Sequence, residues 1–274
     1  MARWVHRNNP PSVVMIEGIV NHRRASIRAI SFLLCLIPAG IQAGTVQPNT
    51  SASTRTPATP GTDTPIIVIG FVGGYVKHDA LTHSAVQVAA HLRHDYPSGV
   101  YAKAHENHRP DLAYAEIVRL LDTDGDGTLS ADEKRNAHII LYGHSWGASE
   151  AIALARELEK QGIPVLLTVQ VDSVSKPGQN DKVIPANVEE AANFYQVDGF
   201  LHGQPQIRAA DPAHTRIIGN FRFDYKGNPL QCQHYPWYDK VFMKSHIQIE
   251  CDPQVWNQVE SLIQSRLPQQ VSNR

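Results

Sequence analysis

The stretch AHIILYGHSWG, residues 137–147, joins an apolar run to a Gly-x-Ser-x-Gly pattern. The apolar part predicts a buried strand over residues 139–142, and the periodicity of residues 148–161 predicts a helix directly after the pattern. A strand, Gly-x-Ser-x-Gly and a helix in this order predict a sharp turn that exposes the serine hydroxyl at the top of a sheet. The two glycines lack the side chains that would collide in such a turn. Ser145 is therefore the candidate nucleophile.

The length and composition of the chain fit one globular domain. The chain has 274 residues, of which 42% are hydrophobic and 19% are charged, and its net charge is −1. This is enough apolar sequence for one sizeable core. The sequence has no basic stripe, so nucleic acid is not an expected partner.

The N-terminal segment is predicted to lie outside the folded domain. Three arginines within residues 23–28 precede a short apolar stretch, and the small residue Ala43 follows it. This pattern predicts a secretory signal peptide over residues 1–43, with Met15 as an alternative start. Residues 44–64 are rich in Thr, Pro, Ser and Gly and predict a disordered linker. We therefore expect a secreted or periplasmic protein without a stable membrane anchor after cleavage.

The remaining sequence, residues 65–274, is predicted to form an α/β domain. Predicted strands cover residues 66–70, 100–104, 139–142, 164–171 and 215–225, predicted helices cover residues 81–94, 111–121, 148–161 and 253–267, and residues 188–195 fit either a helix or a strand. Alternating strands and helices predict a mostly parallel sheet with helices on both faces. In such a sheet the active residues lie at the carboxyl ends of the strands.

A serine nucleophile needs a histidine base and a carboxylate that orients the base. We favour His246 as the base, because it is predicted to lie on the loop before the closing helix, and His234 is the alternative. We favour Asp172 as the acid, because it ends the predicted strand directly after the nucleophile helix. Asp198, which follows the next predicted strand, is the alternative acid.

Two backbone N–H groups are also needed to stabilise the negative oxygen that forms when a carbonyl is attacked. One donor is expected from the residue after the nucleophile, Trp146. The other is expected from the glycine-rich loop GFVGG, residues 70–74, after the first strand. Phe71 is our candidate for this second donor.

With these residues identified, the chain resembles the α/β-hydrolase superfamily, on its lipase and esterase side, over residues 65–267. The resemblance rests on residues 70–74 and 143–147, on Asp172 and on His246, which follow Ser145 in the order that the family requires. It implies a minimal α/β-hydrolase fold, because the two usual leading strands are missing, and a Ser145–His246–Asp172 triad. The usual His-Gly after the first strand is replaced by Ile-Gly here.

A second motif, DTDGDGTLSADE at residues 122–133, resembles an EF-hand calcium loop. The predicted ligands are Asp122, Asp124, Asp126, the carbonyl of Thr128 and both carboxylate oxygens of Glu133. No second loop of this kind is present, so we expect a structural calcium rather than a calcium sensor. Because the loop precedes the nucleophile strand, the metal would lie at the amino edge of the sheet, opposite Ser145.

The sequence allows two oxidation states for the cysteines of the predicted mature chain. Downstream of the predicted signal peptide, only Cys232 and Cys251 remain. In an oxidising compartment they could form a disulfide, and otherwise they would be two buried free thiols.

Taken together, these patterns predict an exported serine hydrolase that cleaves a carboxylic ester, from a small molecule or a lipid, through an acyl-enzyme. Two alternatives remain open. The same residues could serve a peptidase or an acyltransferase, or the chain could be a catalytically silent calcium-binding module on the same fold.

Overall fold

The computed structural model describes residues 64–233, residue 235 and residues 243–268. The predicted signal peptide, all but the last residue of the predicted linker, and His234 lie outside the described residues. Within the described part of the chain, no helix has the length and apolar character needed to cross a membrane.

Six strands form a single parallel sheet in the order β2-β1-β3-β4-β6-β8. These strands are β1 (Ile66–Val72), β2 (Val100–Glu106), β3 (Ile139–His144), β4 (Val165–Val171), β6 (Val188–Gln196) and β8 (Arg216–Phe223). Two short strands, β5 (Val183–Ile184) and β7 (Arg208–Ala209), form a separate parallel pair.

Helices cover both faces of the six-stranded sheet. They are α1 (Ser84–Asp95), α2 (Pro110–Leu121), α3 (Ala131–Arg135), α4 (Trp146–Lys160), α5 (Lys244–Glu250) and α6 (Pro253–Gln264). Helices α1 and α6 pack against one face of the sheet, and α2 and α4 pack against the other. Successive residues of β1 contribute to opposite faces, because side chains alternate along a strand. The predicted architecture is confirmed.

Residues 188–195, which the sequence left open, belong to strand β6. Their composition includes Glu and Ala, which favour helices, but the segment lies between β4 and β8 and is buried on both sides of the sheet. Tertiary pairing overrides the weak local preference here.

The structure joins Cys232 and Cys251 in a disulfide, with 5.9 Å between their Cα atoms. The bridge packs with Tyr235 and Ile247 in a small apolar cluster. It links the chain before residues 236–242 to the residue that follows helix α5. Because α5 carries His246, the disulfide restrains the element on which the candidate base lies.

We expect the denatured, unreduced full-length chain to expose one reactive thiol, that of Cys35, and all three thiols after reduction. Replacing Cys251 by serine should lower the free energy of unfolding by about 3 kcal/mol, because the open loop regains conformational entropy. Thiol titration and guanidinium unfolding measure the two effects. Three reactive thiols before reduction would contradict the disulfide.

Candidate active site

Ser145 lies in the turn between β3 and α4, in a backbone conformation that an L-residue rarely adopts. Its φ and ψ angles are 57° and −125°, which places the residue in a strained region that persists only when the surrounding structure enforces it. The Ser145 N–H donates to the carbonyl of Val171 at 3.0 Å, and the Ser145 carbonyl accepts from Val174 at 3.3 Å. The last residue of β4 and the turn that follows it therefore hold the backbone of Ser145 in place.

The motif glycines allow helix α4 to begin directly against the sheet. A Cβ added to Gly147 would lie 2.3 Å from the carbonyl oxygen of Phe71, and one added to Gly143 would lie 2.5 Å from the backbone of Gly147. No larger residue fits at these two contacts unless the backbone moves. The two glycines thus bring β1, β3 and the start of α4 into contact around Ser145.

The structure brings Ser145, His246 and Asp172 together in one line of hydrogen bonds. The Oγ of Ser145 lies 2.8 Å from Nε2 of His246, and Nδ1 of His246 lies 2.7 Å from Oδ2 of Asp172. All three residues are buried, with exposures of 7%, 3% and 0%. The sequence predicts a loop position for His246, but this residue lies within helix α5. A proton can pass from Ser145 to His246 in this arrangement while Asp172 holds the ring.

The carboxylate of Asp172 is fixed by three further donors. Its Oδ1 accepts from the N–H of Gly203 at 2.7 Å and from the N–H of Gln196 at 3.2 Å, and its Oδ2 accepts from the side-chain amide of Gln196 at 2.8 Å. Asp172 itself has a φ of 43°, and Gly203 packs so closely that a Cβ would lie 2.4 Å from the Asp172 backbone. Gln196 and Gly203 have no local sequence signal that identifies them.

The alternative acid and the other described histidines do not join this line of hydrogen bonds. Asp198 accepts from the N–H of Tyr225 at 3.3 Å and pairs with Lys226 at 2.9 Å. The hydrogen bond from Lys226 lowers the pKa of Asp198. His202 contacts the carbonyl of Gly203, and His214 pairs with an aspartate on the protein surface. Asp198 thus holds the turn after β8.

Phe71, the predicted second backbone donor, does not occupy a donor position. It lies inside β1, in register with His105 of β2 and Gly143 of β3, so its backbone belongs to the hydrogen-bond ladder of the sheet. The residue that faces the serine is Gly73, where an added Cβ would lie 3.0 Å from the Ser145 Cβ. Among the described residues, no acceptor bonds to the N–H of Gly73 or of Trp146. Gly73 and Trp146 are thus two residues close to Ser145 whose N–H groups have no acceptor among the described residues.

Asn107 fixes the turn that presents Gly73. This buried residue follows β2, and its side-chain amide donates to the carbonyl of Val72 at 3.0 Å and to that of Gly74. The carbonyl of Asn107 accepts in turn from Nζ of Lys176. The sequence gives no sign of this role, because Asn107 contacts residues that lie more than thirty positions earlier in the chain.

An aromatic surface lies beside the nucleophile turn. Tyr75 is 85% exposed and meets the ring of Trp146 edge to face, with 5.7 Å between the ring centroids. Trp146 carries one of the two N–H groups described above, and Tyr75 follows Gly73 by two residues. An apolar part of a substrate could therefore contact this surface while its carbonyl lies near Ser145.

The predicted calcium loop contains a cluster of carboxylates at its aspartate positions. Ligand atoms of Asp122, Asp124 and Asp126 lie within 4.8 Å of one another. In the described part of the chain, the buried Oδ1 of Asp122 has no hydrogen-bond donor. This half of the predicted ligand set suits a hard cation, which prefers carboxylate oxygens.

Glu133 does not share that cluster. Its carboxylate accepts from the N–H groups of Ser130 and Thr123, at 2.9 and 2.7 Å, and from both of their hydroxyls. The backbone bonds from Ser130 and Thr123 lower the pKa of Glu133 to about 2. Glu133 caps helix α3 in this arrangement. The predicted bidentate ligation would require Glu133 to give up these hydrogen bonds.

Thr128 donates its N–H and hydroxyl to Asp126.

No protein-family model matches the chain, and no curated protein sequence is significantly similar to it. Solved structures with a similar arrangement of sheet and helices include an esterase from Pseudomonas putida, at 12% identity over 78% of this chain and 77% of that one, with a TM-score of 0.37. A thioesterase from the prodiginine biosynthetic pathway of Streptomyces coelicolor is 11% identical over 79% of this chain and 99% of that one, with a TM-score of 0.34.

A proposed hydrolase of the α/β superfamily from Xanthomonas campestris pv. campestris is 15% identical over 73% of this chain and 98% of that one, with a TM-score of 0.32. At these identities and TM-scores the likeness carries no argument about this chain. The parallel six-stranded sheet of this chain, with helices on both faces and the serine turn after its third strand, has the α/β architecture that the sequence predicts. The chemistry of the site is argued from the chain's own residues.

We expect Gly147→Ala to lower stability by about 3 kcal/mol or more and to abolish serine reactivity, because the added methyl group would meet the backbone of Phe71. Thermal unfolding and labelling by a fluorophosphonate measure the two effects. Gly227→Ala is the matched control, since a Cβ there contacts nothing within 4 Å. Equal behaviour of the two variants would show that the close contact of α4 with β1 does not constrain the turn.

Proposed function

We propose that this chain is a serine hydrolase that cleaves a carboxylic ester. The observation that carries the proposal is the continuous line of hydrogen bonds from Ser145 through His246 to Asp172, with distances of 2.8 and 2.7 Å. It lies at a strained turn at the carboxyl edge of the sheet. Strain of this kind costs about 1–3 kcal/mol and concentrates at functional sites. A silent binding module would have no need of this arrangement.

In the first half of the proposed reaction, the Oγ of Ser145 attacks the ester carbonyl while Nε2 of His246 takes the hydroxyl proton. Asp172 accepts the Nδ1–H of His246 and stabilises the imidazolium that forms. The tetrahedral intermediate then collapses. His246 returns the proton to the leaving oxygen, the C–O bond breaks, and an alcohol departs while the acyl group stays on Ser145.

In the second half, water enters and His246 takes one of its protons as the water oxygen attacks the acyl carbonyl. The bond to Ser145 breaks, the serine oxygen recovers its proton from His246, and a carboxylic acid is released. In both halves, the negative oxygen would accept hydrogen bonds from the N–H groups of Gly73 and Trp146. Losing one such donor costs about two orders of magnitude in rate.

The surroundings of Ser145 favour an acyl group with an apolar part. Tyr75 and Trp146 form an aromatic surface next to the nucleophile, and neither carries a charge that a peptide terminus or a phosphate would need. A peptidase or an acyltransferase would use the same three residues. These activities are therefore outcomes that the substrate tests must separate.

We expect a fluorophosphonate to label the wild-type chain at one serine, with the label lost in Ser145→Ala. Hydrolysis of p-nitrophenyl esters should fall by about four orders of magnitude or more in Ser145→Ala and in His246→Ala, because each removes a member of the proton-transfer line. Ser149→Ala is the matched control. It removes a buried hydroxyl from the same helix, where Ser149 bonds to Gln179 rather than to His246.

Folded wild-type protein that reacts with neither probe would contradict the proposed function and favour a silent module. A series of p-nitrophenyl esters of increasing chain length, assayed beside the matching amides, separates ester from peptide-type substrates. Transfer of the acyl group to added alcohols in preference to water would indicate an acyltransferase.

We also propose that residues 122–133 bind a structural calcium ion. The proposal is supported by the converging carboxylates of Asp122, Asp124 and Asp126 and by the unpaired buried oxygen of Asp122. When bound, the cation would neutralise three mutually repelling charges. Because the loop joins α2 to α3 ahead of β3, binding there would stabilise the amino edge of the sheet, away from Ser145.

Removal of calcium by a chelator should lower the melting temperature by roughly 5–10 °C, since a ligand that binds only the folded state stabilises it. Asp124→Asn should abolish this dependence on calcium. Asp132→Asn, in the same loop but paired with Arg135, is the matched control and should keep it. An unchanged melting temperature on chelation would contradict the structural role. Lost activity with unchanged stability in Asp124→Asn would assign the metal to catalysis.

We propose export to an oxidising compartment as the setting of this activity. The disulfide between Cys232 and Cys251 supports this setting, because such bridges persist outside the reducing cytosol.

A further inference from the structure

A second buried pair of histidine and carboxylate lies against the first. His144 directly precedes Ser145, and its Nδ1 lies 3.0 Å from Oε2 of Glu250. Both side chains are buried, with exposures of 5% and 1% for the two residues. Glu250 belongs to helix α5, one turn after His246. The proposed mechanism uses neither residue.

The ring of His144 packs on the ring of His246. The two ring centroids are 4.6 Å apart, and the ring planes are inclined by 33°. His246 therefore has Asp172 and Ser145 at its two nitrogens and His144 on its face. The face contact leaves little room for the base to tilt out of line with Ser145.

Glu250 is in turn anchored to the start of helix α1. Its Oε1 lies 3.3 Å from Nδ1 of His83 and accepts from the N–H of Ser84 at 3.3 Å, while the Ser84 hydroxyl donates to the Glu250 carbonyl at 2.7 Å. His83 also contacts the hydroxyl of Tyr235 at 3.2 Å. Groups from β3, α1 and α5 thus meet at one carboxylate.

The charge states of the pair follow from its surroundings. Burial lowers the pKa of His144 to about 4, so this imidazole is neutral near pH 7. Burial raises the pKa of Glu250, but the interaction with His144 and the hydrogen bond from His83 outweigh burial and hold this pKa below its ordinary value. The pair is an anionic carboxylate beside a neutral imidazole. Oε2 of Glu250 lies 3.0 Å from Nδ1 of His144, but among the described residues it accepts no hydrogen bond.

We propose that Glu250 is a positioning residue for His246 and acts through His144. Its carboxylate lies against the His144 ring that packs on the base, and its negative charge, acting across that ring, favours the cation that His246 becomes when Ser145 attacks. This inference rests on the proposed function, because it gives His246 the role of base.

A purely structural role explains the charge of Glu250 less well than the proposed role does. Replacing a buried charged pair by apolar side chains of similar volume is often neutral or stabilising. The chain instead keeps a carboxylate under the nucleophile turn, where the other charged or titratable groups that face it are His144, His83 and His246. The groups that face His246 are Asp172, Ser145, His144 and Glu250.

The test is Glu250→Gln in the full chain, which keeps the size and the hydrogen-bond acceptor but removes the charge. We expect kcat/KM for a p-nitrophenyl ester to fall about 10- to 100-fold. We also expect the acid limb of the pH–rate profile to move to lower pH by roughly 0.5 to 1 unit. The sign follows from the charge, since His246 takes up its inhibiting proton less readily once a nearby anion is removed.

Glu190→Gln is the matched control. Glu190 is also a paired carboxylate, because it forms ion pairs with Arg216 and Arg266. It is in register with Leu167, near the amino end of β4. Five residues of strand, about 16 Å, separate that level from Asp172. This variant should keep the wild-type acid limb.

His144→Phe supplies an independent variant should Glu250→Gln fail to fold. It keeps an aromatic ring against His246 but removes the polarisable imidazole between Glu250 and His246, so it should slow the reaction and move the acid limb in the same direction. The double variant should be no slower than the slower single one, because both changes break one relay.

Either folded variant with a wild-type rate and acid limb overturns the proposal. A slower variant whose acid limb stays at the wild-type pH also overturns it, because Glu250 would then act by packing alone. A wild-type chain that fluorophosphonate does not label at Ser145 is a different result. It contradicts the proposed function itself, before any variant is compared.

Discussion

The close contact of helix α4 with strands β1 and β3 is the constraint on which the site depends. It exists because Gly147 lies on the carbonyl of Phe71 with no room for a side chain. Ser145, two residues before Gly147 in the same turn, has a strained backbone conformation. The N–H groups of Gly73 and Trp146 have no acceptor among the described residues, and a Cβ added to Gly73 would lie 3.0 Å from the Ser145 Cβ. This packing contact thus joins the turn that carries the candidate nucleophile to the strand that leads into Gly73.

The site places two carboxylates in the buried interior of the domain. Asp172 and Glu250 are almost completely buried, and burying a carboxylate costs free energy unless donors surround it. Each carboxylate accordingly accepts from backbone N–H groups and faces a histidine. The two pairs meet where His144 packs on His246. In the proposed reaction, such an arrangement would resist reorganisation when a charge appears on His246, and preorganisation of this kind is the physical source of electrostatic catalysis.

The sequence predicts the sheet, the turn and the position of Asp172 because these follow from local periodicity and from one topological rule, that carboxyl ends of parallel strands meet at one edge. It selects His246 as the base but expects a loop there, whereas the residue lies in helix α5. It misses what depends on distant contacts. Gln196, Gly203 and Asn107 carry no local signal. Phe71 is misplaced by two residues because β1 runs on to Val72, beyond its purely β-branched part. Glu133 fits two roles, as a ligand and as a helix cap, and its sequence position alone does not choose between them.

His246, the candidate base, lies on a helix rather than on a loop, and this explains why the residues directly after the helix make several tertiary contacts. Helix α5 has only seven residues, and so short a helix has little stability of its own. Its orientation must come from outside. The Glu250 carbonyl accepts from Ser84, the next residue, Cys251, is bridged to Cys232, and Asp252 accepts from the Tyr225 hydroxyl at 2.8 Å while it caps α6. Three successive residues thus tie the end of α5 to α1, to the preceding loop and to the turn after β8. The angle at which His246 meets Ser145 is set by these tethers, so the geometry of the base is a property of the tertiary structure around α5 and not of the helix itself.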